Sequence, residues 1–299
     1  MALAYYLIRI FASLLALLPF PVLYVKSDVL AFFLYRVAGY RKKVVEKNLR
    51  NAFPDKDAKQ RKKIASRFYR NLADVILESI KVEGMSLASL QKRYVIANEA
   101  LLERFAREGR GVMLLMGHCG NWEWTVSGVA PRLKQPARFV AKRLSDPRFN
   151  DYVESLRCRF FPGYTIPHKM TMRYILQMQG KAFLVCMIGD QTPLKEESRF
   201  WTTFLNQETL FYEGAGKISH RMGMAVVYLE LYRKKRGHYE GRLSLIAENA
   251  AHHTPEDILL SYVDKLEASI TAGPDNWLWS HRRWKHKRTS DPLLPRHKD

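Results

Sequence analysis

The sequence predicts an α/β fold, a mixed central sheet covered by helices, preceded by a hydrophobic N-terminal helix. Three observations carry that expectation. Short continuous apolar runs of the kind that form buried strands alternate with segments whose apolar residues recur at helical spacing. The stretch from Leu3 to Val25 is apolar apart from Arg9 and a few small or aromatic polar groups. With 299 residues, 47% of them apolar, the chain suffices for one large core and lies near the upper limit of a single domain.

Residues 1–25 are expected to form a membrane-anchor helix. A fully helical Leu3 to Val25 would cover about 30 Å of hydrocarbon. Pro19 and Pro21 end the regular helix near Leu18, which leaves a span of marginal length. The basic residues Lys26, Arg36 and Arg41 to Lys43 follow the span, so the positive-inside tendency leaves the remainder on the cytoplasmic side. A buried core helix is the alternative reading of the same residues. Residues 26–44, with Val29, Phe32, Phe33 and Val37 beside Arg36, read as an interfacial helix or linker, and residues 45–299 as one α/β domain.

Within that domain, Ile64, Phe68, Leu72, Val75, Ile76 and Ile80 recur at three- and four-residue steps and predict an amphipathic helix over 57–81. Asn98 is placed to cap a shorter helix through Arg107, stopped by Gly109 and Gly111. Strand-like runs follow at 112–116, 138–141, 164–166 and 183–188. Between them, helices are predicted from Asp146–Pro147 onward and over 171–179. Segments 225–232 and 242–247, joined by a basic turn containing Gly237, read as a hairpin.

Lys and Arg number 49 against 29 Asp and Glu, a net charge of +20 that attracts anionic partners: nucleic acid, an anionic membrane surface or a phosphorylated lipid. No helix-turn-helix, RNP or zinc pattern supports nucleic acid, and none is expected as a partner. Cys119, Cys158 and Cys186 form no CxxC pair and fit a reducing compartment. No histidine stands at zinc-ligand spacing from a cysteine, so no metal is expected, and no cofactor either.

The chemistry concentrates in Gly117-His118-Cys119-Gly120-Asn121-Trp122-Glu123-Trp124, directly after the apolar run at 112–116. That is the carboxyl end of a strand, where α/β sheets place ligands. In a continuous helix His118 and Glu123 would lie about 140° apart around the axis and could not meet. On a strand–turn–helix corner they can, and a carboxylate touching the imidazole would raise its basicity and let it deprotonate a hydroxyl. The competing reading is a satisfied turn histidine and a glutamate that merely complements a helix N-terminus.

The block His118-Cys119-Gly120-Asn121-Trp122-Glu123 resembles the H-x-x-x-x-[DE] signature of the lysophospholipid acyltransferase superfamily, whose glycerolipid acyltransferase-like fold it implies. More narrowly, it is similar to the lipid A biosynthesis late acyltransferases, the lauroyl and myristoyl transferases. Leu156-Arg157-Cys158-Arg159, Gly189-Asp190-Gln191 and the C-terminal Asn276 to Lys285 resemble further blocks of that family in the same order. Cys119 stands where relatives carry a bulky apolar residue, and Asn206 where they often have Gly.

The resemblance implies acyl transfer from an acyl thioester to a hydroxyl of a lipid A precursor at the bacterial inner membrane, without a covalent acyl-enzyme. His118 would be general base, Glu123 its partner, and Arg157 or its competitor Arg159 the cation for an oxyanion or phosphate. Asp190 would hold His118, Arg157 or the acceptor. Asn121, Trp122, Gln191, Trp279, His281, Arg282 and Arg283 are the further candidates for substrate contact. The implied donor is acyl carrier protein, or acyl-CoA, and the acceptor an anionic glycolipid. Other lipid acceptors, an ornithine or glycine lipid or a phosphoinositol mannoside, would use the same chemistry. A basic membrane-bound binding module without activity is the non-enzymatic alternative.

Overall fold

The structure, a computed structural model, describes residues 2–288. The expected domain limit at 299 and the first residue of the expected anchor lie outside the described residues. Helices α1 (Ala2–Leu17), α2 (Phe20–Phe32), α3 (Lys42–Ala52), α4 (Ala58–Lys81) and α5 (Leu87–Arg93) lead into strand β1 (Tyr94–Ile96) and helix α6 (Ala100–Arg107). Then come β2 (Gly111–Met116), α7 (Thr125–Val129), β3 (Ala137–Ala141), α8 (Pro147–Arg157), β4 (Thr165–Pro167), α9 (Thr171–Gln177) and β5 (Phe183–Ile188). The hairpin β6 (Phe200–Phe204) and β7 (Gln207–Phe211) precedes α10 (Gly214–Met222), the long hairpin β8 (Ala225–Lys235) and β9 (His238–Ala247), and α11 (Pro255–Ala272).

Seven strands form the central sheet in the order β1-β9-β8-β2-β5-β3-β4, and β6 with β7 forms a separate two-stranded sheet. Every pairing in the large sheet is parallel except β8 with β9, which gives the mixed sheet expected from the sequence. Because side chains alternate across a strand, β2 feeds both faces. Met113 and Leu115 join a core with Val185, Val226, Tyr262 and Leu266, while Val112, Leu114 and Met116 join one with Leu184, Val227, Phe105 and Val126. A strand buried on both faces needs a continuous apolar run, which is what residues 112–116 supply.

The N-terminal anchor is corrected. No helix among the described residues is long and apolar enough to cross a membrane. The apolar stretch is divided at Leu18 and Pro19, and α1 at 16 residues spans about 24 Å, short of a hydrocarbon core of about 30 Å. One side of each piece packs on α4: Leu15 and Leu23 are buried with Leu77, and Ala12 meets Ile80, Tyr152 and Leu156. Polar contacts hold the same interface, with Ser13 Oγ donating to Glu83 (2.8 Å), Ser27 Oγ to Asp74 (2.5 Å) and Lys81 Nζ to the carbonyl of Ala16 (2.6 Å). Arg236, in the β8–β9 turn, reaches Asp28 and Asp74 together. The expected interfacial segment continues α2 to Phe32 and then a π-helical turn, Phe33–Val37.

One local expectation also shifts. Asp57 caps α4 with a full capping box, and Asp146 caps α8 at Pro147, as their residue types predict. Asn98 caps nothing: its side chain pairs with the backbone of Leu243 in β9, at 2.8 Å in both directions, and α6 starts after Glu99.

Candidate active site

Strands β2 and β5 are parallel and in register, Met116 opposite Ile188. The residues that follow each strand therefore emerge side by side, His118 from one and Asp190 from the other. His118 Nδ1 lies 2.5 Å from Asp190 Oδ1, and the backbone N–H of His118 donates to Asp190 Oδ2 at 2.7 Å. Trp277 Nε1 donates to the same Oδ2 at 2.7 Å. A Cβ at Gly117 would strike the Leu266 side chain of α11 and crowd the Asp190 carboxylate, so glycine lets the turn lie close to both. Gly120, at φ +58°, turns the chain back, where its amide donates to the carbonyl of Asn276.

Asp190 is 1% exposed. Burial works to raise its pKa, but the charge of His118 and the hydrogen bonds from the His118 ring and amide and from Trp277 hold it down to about 2. A carboxylate that stays ionised accepts the Nδ1 proton and leaves Nε2 as the outward nitrogen of the ring. Gln191 Nε2 lies 3.2 Å from that atom, a donor that a substrate hydroxyl can displace. The outward nitrogen faces a cavity of about 680 Å³ lined by His118, Trp122, Glu123, Arg157, Gln191 and Arg143, among others.

Glu123 lies in the same cavity with a different partner. Arg157 grips it in a fork, Nε to Oε2 at 2.6 Å and Nη2 to Oε1 at 2.8 Å, and Trp122 Nε1 donates to Oε1 at 3.0 Å. Burial opposes ionisation of Glu123, yet the Arg157 fork outweighs it and holds the carboxyl below its ordinary value. Arg157 is pushed up in turn: burial disfavours its charge, and Glu123 more than restores it. The expected His118–Glu123 hydrogen bond is thus replaced by two pairs, His118 with Asp190 and Glu123 with Arg157. The register of β2 and β5 brings the aspartate closer to the ring than the local turn brings the glutamate.

The remaining candidates divide. Arg157 lines the cavity, whereas Arg159 is exposed and stacks by Phe160, its guanidinium carbon 5.5 Å from the ring centroid. Trp122 packs edge-on against the His118 ring at 5.4 Å and lines the cavity. Asn121 is not at the surface of the cavity: it is wholly buried, caps the turn through Trp124 N at 3.2 Å and donates to Glu78 at 2.8 Å. Trp279 is likewise wholly buried, edge-on to Trp277 and tilted against Phe53. Both are corrected from substrate contacts to framework.

Arg282 is exposed and outside the cavity lining. The ring of His281 accepts from the amide of Thr192 at 3.1 Å, and burial pushes its pKa down to about 4, against the pull of Asp190. Arg283 is 1% exposed and lies over the Phe211 ring at 4.3 Å. None of its guanidinium nitrogens has a hydrogen-bond partner among the described residues, and burial pushes its pKa down to about 10, opposed by Asp190 and Tyr262.

Sequence reasoning passed over four contributors. Trp277 sits in the C-terminal block but was not singled out as an Asp190 donor. Lys142 and Arg143 follow β3 and line both the His118 cavity and a neighbouring one of about 490 Å³ on the far side of Gln191. Glu78, wholly buried in α4, accepts from Tyr24 (3.0 Å), Asn121 (2.8 Å) and Tyr239 (2.7 Å), and so anchors the turn after His118 from beneath. Only its place in an amphipathic helix, on the apolar side, marked it.

An imidazole held by a buried carboxylate at the rim of an α/β sheet has the geometry to take up a proton, and comparison with known proteins narrows the class to acyltransferases. The chain belongs to the bacterial lipid A biosynthesis acyltransferase family, whose model it matches over residues 1–286. It is similar to the lipid A biosynthesis palmitoleoyltransferase of Escherichia coli (strain K12), 24% identical over 279 residues that cover 93% of this chain and 89% of that one. The lipid A biosynthesis acyltransferase of Shigella flexneri matches to the same extent.

Proposed function

We propose that the protein transfers a fatty acyl group from an acyl thioester to a hydroxyl of a lipid A precursor, with His118 as general base. The observation that carries this reading is the Nδ1 contact to Asp190, which commits one ring nitrogen and turns Nε2 into the cavity. The acceptor hydroxyl gives its proton to Nε2 as its oxygen attacks the thioester carbonyl. The resulting oxyanion collapses, the C–S bond breaks, and the imidazolium returns the proton to the leaving thiolate. Arg157, which uses Nε and Nη2 on Glu123, keeps Nη1 for the oxyanion or an acceptor phosphate.

Acyl carrier protein is the donor this reading favours, an acidic partner suited to a +20 surface, with acyl-CoA as the alternative. Lys142 and Arg143 supply cations for an anionic glycolipid beside the same cavity. The reaction belongs at the cytoplasmic face of the bacterial inner membrane, where the exposed apolar side chains Leu7, Phe11, Leu14, Phe32 and Phe33 would meet lipid rather than water.

The test is acyl transfer by the full chain in detergent or vesicles, with carrier-protein and CoA thioesters in parallel, and with lipid A precursor and ornithine lipid as rival acceptors. His118→Ala should lose a factor of about 10²–10⁴ with unchanged melting behaviour. Near-normal turnover in that variant refutes the base assignment, and transfer only to ornithine lipid refutes the acceptor.

A further inference from the structure

The carboxylate that meets the His118 ring needs an anchor of its own. Asp190 Oδ1 lies 2.5 Å from His118 Nδ1, and Oδ2 accepts the backbone N–H of the same residue at 2.7 Å. Both of these contacts move with residue 118. Among the described residues, the one hydrogen bond to this carboxylate from elsewhere in the chain comes from Trp277 Nε1, at 2.7 Å. Trp277 is 2% exposed and lines neither the His118 cavity nor the one beyond Gln191.

The aim of that indole is set by segment 275–281, which is tied down on four sides. Asn71 of α4 donates to the carbonyl of Asp275 at 2.8 Å, and Asn276 donates to the carbonyl of Leu231 in β8 at 3.0 Å. Asn48 of α3 donates to the carbonyls of Trp279 and His281, at 2.9 and 3.0 Å. On the fourth side Trp277 pairs with Cys119 as an isolated antiparallel bridge, beside the Gly120 amide that donates to Asn276. The indole itself is wedged edge-on among Phe204, Trp279 and Trp284, with ring centroids 4.8 to 6.1 Å away. A ring packed on so many sides holds its N–H in one direction, toward Asp190.

We propose that Trp277 is a positioning residue of the acyl transfer, its N–H holding the Asp190 carboxylate in the orientation in which Oδ1 faces His118 Nδ1. The inference rests on His118 being the base, as read above. When the acceptor proton moves to Nε2 the ring gains a positive charge, and Asp190 must by then be ionised and already aimed at it. Burial alone pushes the Asp190 carboxyl up, while the charge of His118 and the hydrogen bonds, that of Trp277 included, hold it down to about 2. A carboxylate anchored only through residue 118 would turn about its own bond and swing with the ring, so the pair would have to be ordered anew in each turnover. Because Trp277 lines neither cavity, its loss falls on kcat and not on KM.

Trp277→Phe keeps a ring in the aromatic cluster and deletes the N–H. Kinetics of the full chain in detergent, on one acyl thioester and one lipid A precursor, should show kcat reduced roughly 10- to 100-fold, the rate equivalent of one hydrogen bond to a charged group, with both KM values within about twofold. Trp284→Phe is the control: it makes the same deletion in the same cluster, where the indole N–H donates to Thr209 Oγ1 at 2.8 Å, and should leave kcat unchanged. In an Asp190→Asn background Trp277→Phe should add little, because the carboxylate it orients is already gone. Should Trp277→Phe fold poorly, the benzothiophene isostere of tryptophan at position 277, with sulfur in place of the N–H, preserves the packing and carries the same expectation. Unchanged kcat in a folded Trp277 variant, an equal loss in Trp284→Phe, or the full loss repeated in the Asp190→Asn background would each overturn the proposal. A wild-type protein that transfers from no thioester would overturn the acyltransferase reading itself, and this role with it.

Discussion

His118 and Asp190 stand 72 residues apart in the chain and 2.5 Å apart in space, joined because β2 and β5 run parallel and in register. The pair makes Asp190, a residue outside the histidine's own turn, the group that fixes the imidazole. Asp190→Asn keeps the shape but substitutes an amide that can present its N–H to Nδ1, which would favour the wrong tautomer. Turnover should fall by about 10²–10⁴. The measurement is kcat on a thioester at neutral pH, and a variant within a few-fold of wild type would free Asp190 from that role.

Glu123 and Arg157 are a partly buried bidentate pair, with 19% and 24% of their side chains exposed. Removing either partner leaves the other unmatched, so Glu123→Gln and Arg157→Met should each destabilise by about 1–3 kcal/mol, discounted for the exposure. The double variant should be less unstable than the sum, since neither charge is then stranded. The folded carboxyl of Glu123 is held below its ordinary 4.5, so its contribution is present above that value and is lost as pH falls through the folded one. Urea titrations of the four proteins decide this, and strictly additive losses would count against the pair.

His281 behaves in the opposite sense to a charged histidine. Its folded value of about 4 lies below the ordinary 6.5, so the unfolded chain takes up a proton in that window and the folded one does not. Stability should therefore drop as pH falls from 6.5 towards 4, by up to about 3 kcal/mol from this residue. His281→Gln, which can still accept from the Thr192 amide, should flatten that part of the curve while leaving the losses from carboxylates below it. Parallel curves for both proteins between those pH values would contradict the assignment.

Much of the sheet was legible because its central strands are buried on both faces. Residues 183–188 form β5 with the bounds their apolar run suggests, and β2 adds only Gly111. β6 and β7 were not legible: Trp201, Thr202, Thr203 and Gln207, Glu208, Thr209 give no continuous apolar run, and the hairpin turn uses Leu205 and Asn206 at positive φ in place of glycine. α11 went unread although Thr254 and Asp257 form its capping box. Within the site, His118, Glu123, Arg157 and Asp190 were each found by position, but not who pairs with whom. Spacing within one turn suggests a partner five residues on, whereas the observed contact depends on strand register, which a single sequence does not display.

Arg283 offers the sharpest separation of stability from function. Its folded value of about 10 lies below the ordinary 12.5, so the unfolded chain holds that proton more tightly and the charged guanidinium opposes folding at neutral pH. The cost is about 3 kcal/mol, with the attraction of Asp190 and Tyr262 already counted against it. Arg283→Met keeps the apolar contact with Phe211 and removes a charge that has no hydrogen-bond partner among the described residues. The variant should melt higher than wild type, as replacements of poorly compensated buried charges by hydrocarbon often do. If the His118–Asp190 pair does the chemistry proposed above, its acyl transfer should fall, because the variant removes the positive field that Arg283 imposes on Asp190. A lower melting temperature with activity intact would show instead that Arg283 is a plain element of the core.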